Sequence, residues 1–235
     1  MEDRSHHGNV PATPSAFDGF AGQRNALVAY GRMLADKRLL MQTSGNLSVR
    51  LPTGDLLITP TSIPYSEITP SDLVVANLDG AVVAGFRRPS SELPLHALVY
   101  RSRPDIRAIV HTHSEMATTI AVLNKPIPAV HYMIASLGVT RVEVAPYATF
   151  GSDKLARNVS AAFAYPARAV LIGNHGVVAG GPTLPAAANA AEAVELLAAL
   201  YYRVLVAGGG VVLTDDQMAE VLGKYKAYGP LREEA

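Results

Sequence analysis

Two rhythms of apolar and polar residues run along this chain, and their order predicts its layers. Leu27, Tyr30, Leu34 and Ala35 recur at helical spacing within residues 17–37, which predicts an amphipathic helix. The apolar runs 46–51 and 56–59 flank Pro52-Thr53-Gly54-Asp55 and read as strand, turn, strand. Runs 73–78 and 81–84 repeat that arrangement around Asp79-Gly80, a pair suited to a tight turn. A helix over 91–101 follows, with Ser90 or Ser91 near its N-cap and Pro94 in its first turn. Further strands are expected at 107–113, 141–145, 170–174 and 176–179, with helices at 114–123 and 152–163 between them. An alanine-rich helix spans 184–206 and stops at Gly208-Gly209-Gly210, and the last helix opens with Thr214 and Gln217 at capping-box spacing.

Two early hairpins argue for an antiparallel start to the sheet, and no Gly-x-Gly-x-x-Gly follows an early strand, so a dinucleotide-binding pattern is not expected. The expected fold is α/β: a three-layer α/β/α single domain over residues 15–235, with a central mixed, largely antiparallel sheet. Residues 1–14 are polar and proline-containing and read as a disordered tail, in which His6 and His7 receive no role.

Composition narrows the partners. The 20 basic and 20 acidic side chains balance, which leaves no electrostatic footprint for nucleic acid or an anionic membrane. The chain contains no cysteine, so disulfides, thiolate metal sites and a cysteine nucleophile are excluded. Its first residues lack the apolar core of a signal peptide, and its richest apolar run, 185–207, carries Asn189, Glu192, Glu195 and Arg203. A soluble, cytoplasmic protein is the expectation.

The chemistry gathers at strand ends. Residues two apart on a strand share a face, so His111 and His113 point the same way while Thr112 points away. Glu92 upstream, and His175 at the end of another apolar run, could complete a catalytic-type metal set of three imidazoles and one carboxylate. A histidine at a strand end is more often a hydrogen-bonded core residue, and spacing alone leaves both readings open. The five lysines Lys37, Lys125, Lys154, Lys224 and Lys226 all sit in polar or loop contexts, not in the apolar strands where an imine-forming amine would be desolvated. Hydroxyl, amide and glycine residues cluster at three predicted turns: Thr43-Ser44-Gly45-Asn46, Thr59-Pro60-Thr61-Ser62 and Ser90-Ser91. Such groups at turns and helix starts suit a phosphate.

Pro89-Ser90-Ser91-Glu92, His111-Thr112-His113, the run 127–134 ending in His131-Tyr132-Met133-Ile134, Ala145-Pro146-Tyr147-Ala148-Thr149-Phe150-Gly151 and Asn174-His175-Gly176 together resemble the class II aldolase/adducin family. The likeness runs from about Met41 to Gly229 and is strongest to the bacterial branch that cleaves L-fuculose 1-phosphate. It implies that Glu92, His111, His113 and His175 hold one Zn²⁺ per subunit, with Glu92 leaving the metal to act as base. It implies phosphate contacts from Asn46, Thr61, Ser62, Ser90 and Ser91, although relatives often carry glycine where this chain has Ser62. It further implies that Tyr132 and Tyr228 reach the active site from a neighbouring subunit of a homotetramer, that Phe150 lines the aldehyde pocket, and that His96 and His131 support the site or the core.

The activity implied is reversible cleavage of L-fuculose 1-phosphate, or a similar ketose 1-phosphate, to dihydroxyacetone phosphate and a small aldehyde such as L-lactaldehyde. Related chemistries on the same metal are the competing expectations: a deoxyribulose- or ribulose-phosphate aldolase, a methylthioribulose-1-phosphate dehydratase, a decarboxylase, or a pentulose-5-phosphate 4-epimerase. The epimerases typically carry Asp at the position of Glu92. A non-enzymatic adducin-like scaffold is the remote alternative, because such heads lack an intact ligand set.

Overall fold

The computed structural model describes residues 20–227; the tail expected over 1–14, and Tyr228, lie outside these residues. In chain order the strands are β1 (Asn46–Arg50), β2 (Leu56–Ile58), β3 (Val74–Ala76), β4 (Val82–Ala84), β5 (Ala108–Thr112), β6 (Ile127–Pro128), β7 (Arg141–Val142), β8 (Val144–Ala145), β9 (Ala169–Ile172) and β10 (Gly176–Gly181). The helices are α1 (Ala21–Asp36), α2 (Leu93–Ser102), α3 (Glu115–Val122), α4 (Asp153–Ala162), α5 (Leu184–Val206) and α6 (Asp215–Ala227).

Eight strands form one sheet in the order β4-β3-β2-β1-β5-β10-β9-β8. Every neighbouring pair is antiparallel except β8–β9, so the sheet is mixed and largely antiparallel as expected. Alternation along the strands divides the core. Leu47, Leu57, Val75, Val110 and Val177 pack with Leu34 of α1, Ile120 of α3 and Val194 of α5. Leu56, Ile58, Ile109, Val170 and Val178 pack on the other face with Leu95 and Val99 of α2 and Leu155 and Val159 of α4. A sheet buried on both faces needs apolar residues at successive positions, which is why these strands read as continuous runs.

The expected strand over 141–145 is in fact two short strands that belong to different sheets. β7 pairs with β6, whereas β8 adds in parallel to the edge at β9. A two-residue strand has too few positions to show a period, so the division leaves no trace in the hydrophobic pattern. The pattern also gives no sign of the 3-10 helix at Tyr132–Leu137; His131 caps it by accepting the Met133 N–H through Nδ1 at 3.2 Å. The cap expected at Thr214 is present: its hydroxyl accepts from Gln217 N at 3.3 Å, and the Gln217 side chain accepts from Thr214 N at 2.9 Å.

Candidate active site

β1, β5 and β10 lie side by side at the centre of the sheet, and the site sits at one end of them. Asn46 of β1 and Val178 of β10 are both direct partners of His111 on β5. His113 follows one residue beyond the strand, and His175 closes the tight turn from β9 into β10, its N–H bonded to Ile172 O at 3.1 Å. That turn lies against β5: a Cβ on Gly176 would stand 2.3 Å from the Thr112 carbonyl oxygen, so only glycine lets the backbone come this close. Gly45 is constrained in the same way, with φ at 75° and the His111 carbonyl 2.6 Å from where its Cβ would be.

Glu92 occupies the N-cap position of α2, one residue after Ser91 and two after Ser90, the serines expected near it. The Ser90 hydroxyl accepts the Glu92 N–H at 3.2 Å, and Ser90 N donates to Thr59 O at 3.1 Å, which ties this segment to the Thr59–Ser62 turn. The Glu92 side chain turns into the sheet. Its Oε2 stands 3.0 Å from His111 Nε2 and accepts from Asn46 Nδ2 at 2.9 Å. The three imidazoles of His111, His113 and His175 meet edge to face with centroids 4.8–4.9 Å apart. One ligand atom from each of the four residues lies within 4.8 Å of all the others.

The cluster fits a divalent cation. Glu92 Oε1 is buried without a hydrogen bond, although His175 Nε2 is 3.4 Å away. A buried carboxylate oxygen left without a donor is costly unless something positive occupies the space before it. His111 Nδ1 is 2.9 Å from Val177 O and donates to it, which turns Nε2 toward the cluster as the nitrogen that would bind an ion. Nitrogen and carboxylate donors without sulfur suit a zinc-like ion in an open, catalytic-type site.

The protonation states follow from burial and neighbours. Burial pushes the Glu92 carboxyl up, but His111, His175 and the Asn46 hydrogen bond outweigh it and hold the carboxyl below its ordinary range. Burial, followed by the proximity of His111, lowers His113 to about 3 and His175 to about 4. His111 moves the other way: burial lowers it, and the Glu92 carboxylate more than compensates. Ionised Glu92 and neutral His113 and His175 are already in the states that bind a metal, and His111 gives up its Nε2 proton as an ion binds.

A cavity of about 390 Å³ opens over the cluster. Thr43, Ser44, Gly45, Asn46, Thr61, Ser90 and Ser91 line one part of it, and Tyr147, Phe150 and Asn174 line another beside His113 and His175. Of the described residues that line it, none is a lysine. Ser62 adjoins the lining and adopts φ 60°, a left-handed conformation that favours glycine. Tyr132 is placed elsewhere. It is half exposed and lines a separate surface cavity with Met133, Val221, Lys224 and Tyr225, outside the cavity that holds Glu92, His113 and His175.

Sequence reasoning missed Ser48 and Tyr100, whose hydroxyls lie 2.8 Å apart with Ser48 against His96, and the Asn46–His111 pairing. The signal for the first two was available: Ser48 is two residues from Asn46 on a strand, and Tyr100 is eight residues from Glu92 on a helix. No helix among the described residues is long and apolar enough to cross a membrane.

Comparisons with known proteins agree with this geometry. The sequence profile of the class II aldolase and adducin N-terminal domain matches residues 25–202. The L-fuculose phosphate aldolase of Escherichia coli K12 is 44% identical over 193 residues, covering 82% of this chain and 88% of the relative. The 5-deoxy-D-ribulose 1-phosphate aldolase of Bacillus thuringiensis serovar kurstaki is 42% identical over 210 residues, covering 88% of this chain and 97% of the relative. A solved structure of L-fuculose 1-phosphate aldolase superposes with a TM-score of 0.86 at 41% identity, over 90% of this chain and all of that one. A carboxylate with three histidines at the floor of a polar cavity, on this sheet and with these relatives, makes the chain a lyase enzyme belonging to the class II aldolase and adducin family.

Proposed function

We propose that the protein catalyses the reversible, zinc-dependent aldol cleavage of L-fuculose 1-phosphate or a similar ketose 1-phosphate, giving dihydroxyacetone phosphate and a small aldehyde. The observation that carries this reading is the orphaned Glu92 oxygen among three imidazoles, at the foot of a cavity bordered by hydroxyl and amide groups. A divalent ion held by Glu92, His111, His113 and His175 supplies the Lewis acidity that stabilises enediolate charge. Asn46, Thr61, Ser62, Ser90 and Ser91 hold the phosphate through hydroxyl, amide and backbone N–H groups. Glu92 takes the C4 hydroxyl proton as the C3–C4 bond breaks and the aldehyde departs, and a proton is then returned to C3 of the enediolate. Phe150 and Tyr147 border the aldehyde.

The chain works as one catalytic domain, and Tyr132 and Tyr228 come from a neighbouring copy in a homotetramer. The placement of Tyr132 on the surface, outside the cavity of its own chain, supports that arrangement. A phenol, neutral at pH 7, suits donation to the enediolate carbon or the aldehyde oxygen. A cytoplasmic location accompanies this reading, because phosphorylated sugars do not cross membranes unaided.

Likeness to the Bacillus protein, and to a 5-methylthioribulose-1-phosphate/5-deoxyribulose-1-phosphate aldolase of Rhodospirillum rubrum at 41% identity over 206 residues, favours one second reading. In it the ketose is 5-deoxyribulose 1-phosphate and the aldehyde is acetaldehyde. The experiment that tests both is condensation of dihydroxyacetone phosphate with a panel of aldehydes, with product stereochemistry assigned. The expected result is the highest kcat/KM for L-lactaldehyde, and a clear preference for acetaldehyde would move the assignment to the second reading. No condensation with any aldehyde would remove both.

A further inference from the structure

Glu92, His96 and Tyr100 recur every four residues along α2, and Asn46 and Ser48 are two apart on β1, so each set shares one face of its element. The two faces meet, and five side chains interleave in a buried file. The Tyr100 hydroxyl is 2.8 Å from Ser48 Oγ, and Ser48 Oγ is 2.7 Å from His96 Nδ1. His96 Nε2 contacts Asn46 Oδ1, and Asn46 Nδ2 is 2.9 Å from Glu92 Oε2. Ser48 and His96 have no solvent exposure at all.

The hydrogens in this file have one consistent direction. An ionised carboxylate only accepts, so Asn46 turns its NH₂ group to Glu92 and its oxygen to His96. An amide oxygen also only accepts, so His96 carries its hydrogen on Nε2 and leaves Nδ1 as a lone pair. Nδ1 then takes the Ser48 hydroxyl hydrogen, and the Ser48 oxygen takes that of Tyr100. Reversing any one link sets two lone pairs, or two hydrogens, against each other.

We infer that His96 is a positioning residue for the proposed reaction: through the Asn46 amide it keeps one oxygen of Glu92 held and the other free toward the cavity. The inference rests on Glu92 being the base. Without an Nε2–H at His96, the Asn46 amide can rotate and set its oxygen against the Glu92 carboxylate. Ser48 and Tyr100 matter because they keep the imidazole in the required tautomer.

Two measurements test this. The first is ¹⁵N NMR of histidine-labelled, zinc-free, full-length protein, where His96 should be neutral with its hydrogen on Nε2. A hydrogen on Nδ1 would overturn the inference, and this readout needs neither activity nor metal. The second compares His96→Leu with His96→Gln in the zinc-loaded enzyme, with zinc content and thermal unfolding measured alongside. Leucine fills the space without a donor, whereas glutamine brings an amide N–H to nearly the position of Nε2. The expected result is a kcat loss of about 10–100-fold for His96→Leu at full zinc occupancy, with most of it recovered in His96→Gln. Leucine equal to or better than glutamine would mean that His96 only fills space. If neither variant folds, the wild-type tautomer still decides. A wild-type enzyme inactive on every aldehyde, yet carrying the Nε2–H tautomer, would overturn the aldolase reading and leave the direction of the file intact.

Discussion

Asn46 and His111 are direct partners across β1 and β5, and both reach the same carboxylate oxygen of Glu92, at 2.9 and 3.0 Å. The register of two strands therefore aims the proposed base. Glu92 Oε2 is fully engaged by these groups, while Oε1 has no hydrogen bond. A carboxylate held by one oxygen and free at the other is arranged to accept a proton from a molecule in the cavity.

Glu92→Gln keeps the shape of the side chain and removes its basicity. The variant is expected to bind dihydroxyacetone phosphate but to lose about 10²–10⁴-fold in kcat. Loss of the C3 proton of dihydroxyacetone phosphate to solvent, followed by NMR, isolates that step. Near-normal exchange in the variant would take Glu92 out of the role.

Gly176 is where the His175 turn touches β5. A Cβ 2.3 Å from the Thr112 carbonyl oxygen meets backbone, which cannot swing aside as a flexible side chain could. Gly176→Ala should therefore lose about 1–3 kcal/mol of stability in urea unfolding, as overpacked sites do, and should misplace His175. Unchanged stability with unchanged activity would show that the turn is not held so tightly.

Much of the fold, and the shared face of two of the histidines, is legible in the residue pattern alone, whereas the full ligand set needs the family resemblance. His111 and His113 share a face because strands have a period of two, and the continuous apolar runs mark a sheet covered on both sides. Pairing between distant strands is what the pattern does not carry: nothing local says that Asn46 lies opposite His111, far along the chain. The division of 141–145 between two sheets is likewise decided by partners rather than by pattern. Tyr132 is recognisable from its motif, yet only the structure shows that it lies outside the cavity that holds Glu92, His113 and His175.

His96 makes the zinc-free fold sensitive to acid. Burial, with His111 nearby, lowers its folded-state pKa from 6.5 to about 3. Between those values the unfolded chain binds a proton that the folded chain refuses, so acid favours unfolding. The stability held by neutral His96 is fully present above about pH 6.5 and is lost as the pH falls toward 3. Replacing His96 by Gln should flatten the fall of unfolding free energy between about pH 6 and 4 by up to about 1.4 kcal/mol per pH unit. Parallel curves for the two proteins would show that His96 protonates as readily folded as unfolded.

Sharing of active sites between copies is open to complementation. In the proposed tetramer, Glu92→Gln and Tyr132→Phe each damage a different half of a shared site. Mixed under conditions that let subunits exchange, they should form some sites with both groups intact, and activity should rise above either parent. Verified mixed oligomers with no gain would mean that each chain builds its own site.

Metal dependence at the Glu92 cluster is measured most directly by stripping the enzyme with a chelator and titrating Zn²⁺ back, following condensation of dihydroxyacetone phosphate with L-lactaldehyde and zinc content together. Activity should fall to background and return in step with one bound Zn²⁺ per chain, and His111→Ala, His113→Ala and His175→Ala should each fail to retain zinc. Full activity in the chelator, borohydride inactivation in the presence of dihydroxyacetone phosphate, or stoichiometric zinc in any of the three histidine variants would contradict it.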